Sequence, residues 1–228
     1  MRISERLQTI ADMVDKGNCA ADIGTDHAFV PIELIRRGTV ERAIASDVGT
    51  GPIERAKAHV RVAEYTDVID CRVGDGLKTL KPGEADAIVI AGMGGLLMCR
   101  ILTEGADVLS GTEQLILSPH TEIPEVRRTA AELGFCIDRE KMLSEDGKFY
   151  TVMHLKHGTA DLTEEQLEFG PKLLETRPDA WLRWLKNEKR KLERIVKGLK
   201  KTGTEAALQA CAEKEERLLL IDKILKNG

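Results

Sequence analysis

The feature that most constrains this chain is the regular alternation of short apolar runs with amphipathic stretches over residues 1–158. Strand-like runs fall at 18–23, 42–47, 68–73, 85–91 and 114–118, and helical patterns lie at 5–14, 29–37, 52–64, 95–102 and 122–133. Within the fourth run Ala87, Ile88, Val89, Ile90 and Ala91 are all apolar, as expected of a strand covered on both faces. Strand–helix alternation of this kind gives a doubly wound parallel sheet. The alternation breaks at 135–142 and 148–156, two strand patterns joined through Ser144, Glu145, Asp146 and Gly147. Consecutive strands without a helix between them form an antiparallel pair, which belongs at the sheet edge.

A parallel sheet that ends in such a hairpin has the outline of the Rossmann-like α/β fold of many methyltransferases. After Gly158 the pattern turns wholly helical, so two domains are expected, 1–158 and 159–228. Thr163 reads as an N-cap, with Glu164, Glu165 and Gln166 in the first turn. From Asp179 to Lys201, Trp181, Trp184, Leu185, Leu192, Ile195, Val196 and Leu199 recur at threes, fours and sevens. Beyond a break at Thr202, Gly203 and Thr204, Leu208, Cys211, Leu218, Ile221 and Leu225 continue in similar register. Two helices with facing apolar seams predict a coiled-coil hairpin.

Charge separates the two parts. The whole chain carries −4, but from Trp181 onward thirteen basic residues face seven acidic ones, which leaves −10 on the first 180 residues. Such asymmetry points to two modules with different partners. No apolar run approaches the ~18 residues of a membrane span, and the opening residues lack a secretion signal's hydrophobic block, so no membrane partner and a cytoplasmic location are expected. Five scattered cysteines without a C-x-x-C pair, and histidines without H-E-x-x-H, give no metal site; reduced, buried thiols are the simpler reading.

The chemistry-bearing turn is Asp22-Ile23-Gly24-Thr25-Asp26-His27-Ala28, where a strand ends in glycine and leads into a helix. Ligands of open α/β sheets bind outside the carboxyl ends of the strands. The full G-x-G-x-x-G fingerprint is absent, and Asp22 and Asp26 would repel a pyrophosphate. S-adenosylmethionine, with a sulfonium and an ammonium, suits those carboxylates. Asp47 follows Gly24 by 23 residues at the end of the second strand, near the ribose-binding offset, and Asp75 with Gly76 follows the third. A single strand-end Asp is usually a turn former. Three on successive strand ends point to a ligand. Gly92, Met93, Gly94 and Gly95 follow the fourth strand, where amine-methylating enzymes often carry Asp/Asn-Pro-Pro-aromatic; here they would form a backbone platform facing the substrate. The cofactor-binding set is thus Asp22, Gly24, Thr25, Asp47, Asp75, Gly76 and Gly92, with Met93 and Gly94 on the substrate side. Ser118-Pro119-His120 closes the fifth strand, and His120 is either a substrate contact or an ordinary loop histidine.

The pairing of Asp22-Ile23-Gly24-Thr25-Asp26-His27 with Ala91-Gly92-Met93-Gly94-Gly95, a helical tail and the opening Ser4-Glu5-Arg6-Leu7 resembles the bacterial tRNA adenine-N1 methyltransferases acting at position 22. The resemblance spans essentially the whole chain. It implies a Rossmann-like catalytic domain, S-adenosylmethionine as donor, a coiled-coil C-terminal domain, tRNA as substrate and 1-methyladenosine as product. Phe29 stands where the family commonly has Tyr, and Ser118-Pro119-His120 where Gln-Pro-Asn is common.

Adenine N1 carries an in-plane lone pair, so methylation needs alignment and charge stabilisation rather than a strong base. Asp26 and His27 are the candidates for orienting the base. The cluster Lys189, Arg190, Lys191, Arg194, Lys197, Lys200 and Lys201 is the candidate phosphate-contacting arm. Two other readings stay open on sequence: a small-molecule or protein methyltransferase with a dimerising coiled coil, and a non-catalytic RNA-binding scaffold. The oligomeric state, monomer or weak dimer, is also open.

Overall fold

The structure, a computed structural model, describes residues 3–202 and 204–226. Gly203, the expected hairpin glycine, lies outside the described residues. Cα packing divides the chain into two compact units, Met1–Thr176 and Arg177–Gly228.

The first unit opens with α1 (Glu5–Met13), capped by the Ser4 hydroxyl accepting from Leu7 N–H. Alternating elements follow: β1 (Cys19–Ile23), α2 (Phe29–Arg37), β2 (Arg42–Asp47), α3 (Thr50–Val62), β3 (Ile69–Val73), a 3₁₀ turn (Gly76–Thr79), β4 (Ala87–Ala91), α4 (Gly95–Glu104), α5 (Ala106–Leu109), β5 (Gln114–Ser118) and α6 (Ile123–Glu132). The hairpin β6 (Phe135–Glu145) and β7 (Lys148–His157) completes a seven-stranded sheet ordered β3-β2-β1-β4-β5-β7-β6. The first five strands pair in parallel, and β7 runs antiparallel to both β5 and β6. Asp146 and Gly147 connect the hairpin with φ of 50° and 74°, the positive values that let a two-residue turn follow the strands' twist.

Side chains alternate across β4 and so feed both faces. Ile88 and Ile90 join a core with Met98, Leu102, Leu115 and Leu117, while Ala87 and Val89 join Ile10, Met13, Val30 and Leu34 on the other side. Each is at most 3% exposed. Because the order runs 3-2-1-4-5, the chain reverses direction between β1 and β4. That leaves a crevice at their carboxyl ends, where such sheets take ligands.

The division after Thr176 lies eighteen residues beyond the expected boundary at 158, and a buried ion pair explains the shift. Short helices α7 (Glu164–Phe169) and α8 (Pro171–Thr176) follow the hairpin, α7 opening on a capping box between Thr163 and Gln166. Arg127 of α6 and Glu140 of β6 meet at 2.9 Å, both nearly inaccessible to solvent. Arg127 also donates to the carbonyl of Leu167, and Glu140 accepts from Lys172 N–H at 3.0 Å. The pair's remaining hydrogen-bonding capacity is thus spent on α7 and α8, which pins them to the sheet unit.

The second unit holds α9 (Asp179–Thr202) and α10 (Glu205–Lys226), paired antiparallel through Lys189–Asp222 and Lys200–Glu215. Trp181, Leu185, Leu192 and Val196 are buried on α9, and Cys211, Ile221 and Ile224 on α10. The seam is narrower than the periodicity predicts. Ile195 and Leu208, expected within it, are exposed. No described helix is long and apolar enough to cross a membrane.

Candidate functional site

Among the described residues, sizeable cavities open at either end of the sheet's strands. The first, about 340 Å³, lies at the amino ends of β1–β3 against Cys19, Arg42 and Asp70. Its Arg72 is already held by Glu84 and Asp70, both at 2.7 Å. That is the wrong edge of the sheet for the chemistry of this fold. The second, about 300 Å³, sits at the switch point and is walled by Asp22, Gly24, Asp26, His27, Gly92 and Arg6, with His120 and Phe29 at its margin.

The turn after β1 is built by glycine. Gly24 has φ +80°, a conformation that strains any L side chain, and a Cβ placed there would lie 1.9 Å from Met93 Cε, so the end of that methionine would have to move. Gly24 and Thr25 N–H groups both donate to Ser46 O, drawing the turn onto β2. The buried Thr25 hydroxyl accepts from Ala28 N–H at 3.1 Å and also bonds the Asp22 carboxylate. Thr25 therefore holds the turn's shape. Gly92, with φ +81°, donates to Ser118 O, and His120 N–H donates to Met93 O at 2.8 Å, which ties the two neighbouring loops together.

Asp22 is the electrostatic anomaly. Burial pushes its carboxyl up to about 6, against the Thr25 hydrogen bond and the Arg6 charge, which both pull it down. Asp26 differs sharply. Its carboxylate takes two hydrogen bonds from Arg55 of α3, one at 3.0 Å from Nε, and Arg55 together with His27 holds it below the usual carboxylate range. His27 Nε2 lies 3.1 Å from Asp26 Oδ2. The imidazole stacks on Phe29 at 4.9 Å and 11°, and His59 of α3 completes a three-ring cluster. With Nε2 donating to Asp26, a neutral His27 keeps its lone pair on Nδ1, which is buried and has no hydrogen-bond partner among the described residues.

The remaining expected residues lie on the same carboxyl edge but outside this cavity. Asp47 Oδ1 accepts from Gly49 N–H at 2.7 Å, capping the entry to α3. Asp75 sits between Lys78 at 3.2 Å and Arg100 at 3.4 Å, beside a cavity of about 10 Å³ that it shares with Gly76. Met93 packs its side chain over Gly24 and into the core margin, while Gly94 serves as N-cap of α4. His120 is held below the ordinary histidine range by burial and by the nearby Arg6 and Lys148 charges.

Arg55, His59 and Tyr150 were not marked by the sequence, and Arg6 entered only within the opening Ser4-Glu5-Arg6-Leu7, with no role at the site. The Arg6 guanidinium carbon lies 5.3 Å from the centre of the Tyr150 ring, and that ring in turn contacts His120. Nothing in the local pattern of α1 announces this; the arginine meets β4 and β7 only once the sheet has closed. Among the described residues no group of three His, Cys, Asp or Glu side chains could hold a metal ion.

On the hairpin, the seven basic residues separate into two groups. Lys189 and Lys200 bridge to α10, and Lys191 lies 3.6 Å from Glu188. Arg190, Arg194, Lys197 and Lys201 are exposed, and no ion pair with described residues involves them. Together with exposed Arg183 and Lys186 they recur every three or four residues, which makes one stripe along α9 opposite its buried face.

The sequence pattern of the tRNA (adenine(22)-N(1))-methyltransferase family matches residues 20–221. The tRNA (adenine(22)-N(1))-methyltransferase of Bacillus subtilis (strain 168) is 33% identical over 235 residues, covering 100% of this chain and 99% of the relative. Streptococcus pneumoniae Sp1610, solved in complex with S-adenosyl-L-methionine, superposes with a TM-score of 0.89 at 33% identity, over 98% of this chain and 100% of that one. M. capricolum TrmK in complex with S-adenosyl-homocysteine gives 0.86 at 25% identity, over 99% of each chain.

Proposed function

The chain belongs to the tRNA (adenine(22)-N(1))-methyltransferase family, and from that premise we infer that it methylates N1 of adenine 22 in tRNA with S-adenosylmethionine as donor. The observation that carries the assignment to this pocket is Asp22, a carboxyl at the switch point that burial raises to about 6 although the Thr25 hydrogen bond and the Arg6 charge pull it down. A ligand bearing positive charge relieves that cost. The residues fit the cofactor. S-adenosylmethionine supplies a methyl group on a sulfonium, which the N1 lone pair attacks without prior deprotonation.

Asp22, Gly24, Thr25 and Gly92 hold the cofactor in this reading, with Asp47, Asp75 and Gly76 on the adjoining strand ends. Asp26 and His27 orient the base. Arg55 fixes the Asp26 carboxylate, Asp26 fixes the imidazole, and the bare Nδ1 accepts from the adenine amino group. A neutral His27 is required, because a protonated one would lose the acceptor and oppose the charge that develops on the ring. Met93 and Gly94 shape the platform below the base.

Extruding the base costs a few kcal/mol, which must come from contacts elsewhere on the RNA. The α9 stripe supplies them through phosphates, without reading sequence. In this reading the enzyme is a monomer or weak dimer acting in the cytoplasm. The test is to incubate the protein with unmodified tRNA and labelled donor and to map the product nucleoside by mass spectrometry. Label at position 22 as 1-methyladenosine, lost when that adenine is replaced by guanine, is the expected result.

A further inference from the structure

Extruding an adenine brings its flanking phosphates to the mouth of the pocket, where the protein is poorly charged to receive them. The first 180 residues carry −10, and cations along the carboxyl edge of the sheet are already engaged, Arg55 by Asp26 and both Lys78 and Arg100 by Asp75. The edge hairpin differs. β7 pairs with β5 only over residues 153–156 but with β6 back to Lys148, so its first residues run past the carboxyl end of β5. Side chains alternate across a strand, which sets Lys148, Tyr150 and Val152 on one face. Contacts identify that face: Val152 belongs to the core beneath α1, Tyr150 packs against it, and the Tyr150 ring meets Arg6 and His120 of the pocket wall. Lys148 follows about 7 Å further out along the strand. Its charge acts on His120.

Both polar ends on this face are free to bind. Lys148 is exposed and makes no ion pair with a described residue, and the Tyr150 hydroxyl makes no hydrogen bond with one. Glu145, the register partner of Lys148, instead accepts from Arg6 N–H at 3.3 Å. We propose that Lys148 and the Tyr150 hydroxyl hold a phosphate flanking the target adenosine once its base has entered the pocket. The proposal rests on the pocket being the site of adenine methylation. An ammonium and a phenolic O–H both donate, and a phosphodiester oxygen offers only lone pairs and charge. Contacts from the α9 stripe hold the RNA whether or not the base is stacked. A contact at the mouth is completed only in the extruded state, so it offsets the flipping cost and acts on rate more than on affinity.

Single-turnover methylation of unmodified tRNA by the full chain, at saturating enzyme, tests this. Lys148→Gln should slow the reaction roughly tenfold, the scale of a charge-assisted hydrogen bond, and Tyr150→Phe a few-fold. Affinity for tRNA should stay within about twofold, and calorimetry should find S-adenosylmethionine bound as in the wild type. Lys148→Arg should keep most of the rate, and Lys16→Gln, the same charge change at the opposite edge of the sheet, should keep all of it. A neutral methylphosphonate at one of the two phosphates flanking adenosine 22 should slow the wild type and leave Lys148→Gln no slower than before. A wild-type rate in Lys148→Gln overturns the proposal, as does a variant that still responds fully to both methylphosphonates. So does weakened tRNA affinity at unchanged rate, which would make Lys148 a general surface contact, or weakened cofactor affinity, which would place it on the donor. Failure of the wild type to methylate adenine 22 would instead bring down the reading of the pocket itself, and the proposal with it.

Discussion

Two clusters of buried charge in the sheet unit are built on opposite terms. Around Arg127 and Glu140 every polar atom is engaged: the two side chains meet at 2.9 Å, and their spare donors and acceptors go to backbone groups of α7 and α8. At the switch point Arg6 Nη1 and His27 Nδ1 have no hydrogen-bond partner among the described residues, and Asp22 has the Thr25 hydroxyl but no ion pair with a described residue. The contrast separates structural from functional charge more reliably than burial does. A satisfied cluster is paid for within the fold, whereas an unsatisfied one is completed by something that arrives later.

The sharpest way to break this comparison is to remove one member of each cluster. Arg127→Met strands the Glu140 carboxylate, and should cost about 3–5 kcal/mol of stability, read as a fall in melting temperature of roughly 10 °C. Asp22→Asn should behave in the reverse sense. Cofactor affinity should drop by roughly 30-fold or more by calorimetry, with a melting temperature of the free protein at pH 7.5 no lower than the wild type's. A collapse of Asp22→Asn would show that its carboxylate is structural after all.

The pH dependence follows from the same residue. A folded-state carboxyl raised from 3.8 to about 6 contributes stability that is present below about 4 and is lost as pH rises through 6. Cofactor binding runs the other way, because the ammonium needs the ionised form. Affinity should weaken as pH falls through about 6, with release of up to one proton per bound cofactor in acidic buffer, and Asp22→Asn should abolish that dependence.

Smaller effects sharpen the picture at the base-orienting end. Asp26→Asn should lower kcat by about 10- to 100-fold with little change in cofactor affinity, and Arg55→Lys by a few-fold, since it acts only through Asp26. On the hairpin, Arg190→Ala and Arg194→Ala should each weaken tRNA binding a few-fold and reduce the salt slope of log affinity by about 1. Lys189→Ala and Lys200→Ala, which cut bridges between α9 and α10, should leave that slope nearly unchanged and lower the melting temperature slightly.

What the sequence disclosed was whatever local pattern encodes. The strands, the edge hairpin, the Thr163 cap and the Gly24 turn each follow from residues a few positions apart, and topology then brings Asp22, Asp47 and Asp75 to one edge without further information. Features that depend on distant partners stayed hidden. Arg127 and Glu140 lie on different elements, and no local pattern pairs them or ties α7 and α8 to the sheet unit. Arg6 reads as one more charge on an amphipathic helix until β4 and β7 stand beside it. In the basic cluster, Lys189 and Lys200 look equivalent to Arg190 and Arg194 until Asp222 and Glu215 of the opposing helix come into register. Asp47 and Asp75 are at the expected edge, but a backbone cap and two cations already engage them.

The contact between Gly24 and the methyl of Met93 joins the loop after β1 to the loop after β4 as two teeth of one gear. Bulk added to the first displaces the second, and shortening the methionine opens a void under the first. Anyone transplanting one of these loops from a relative would have to carry the other across with it.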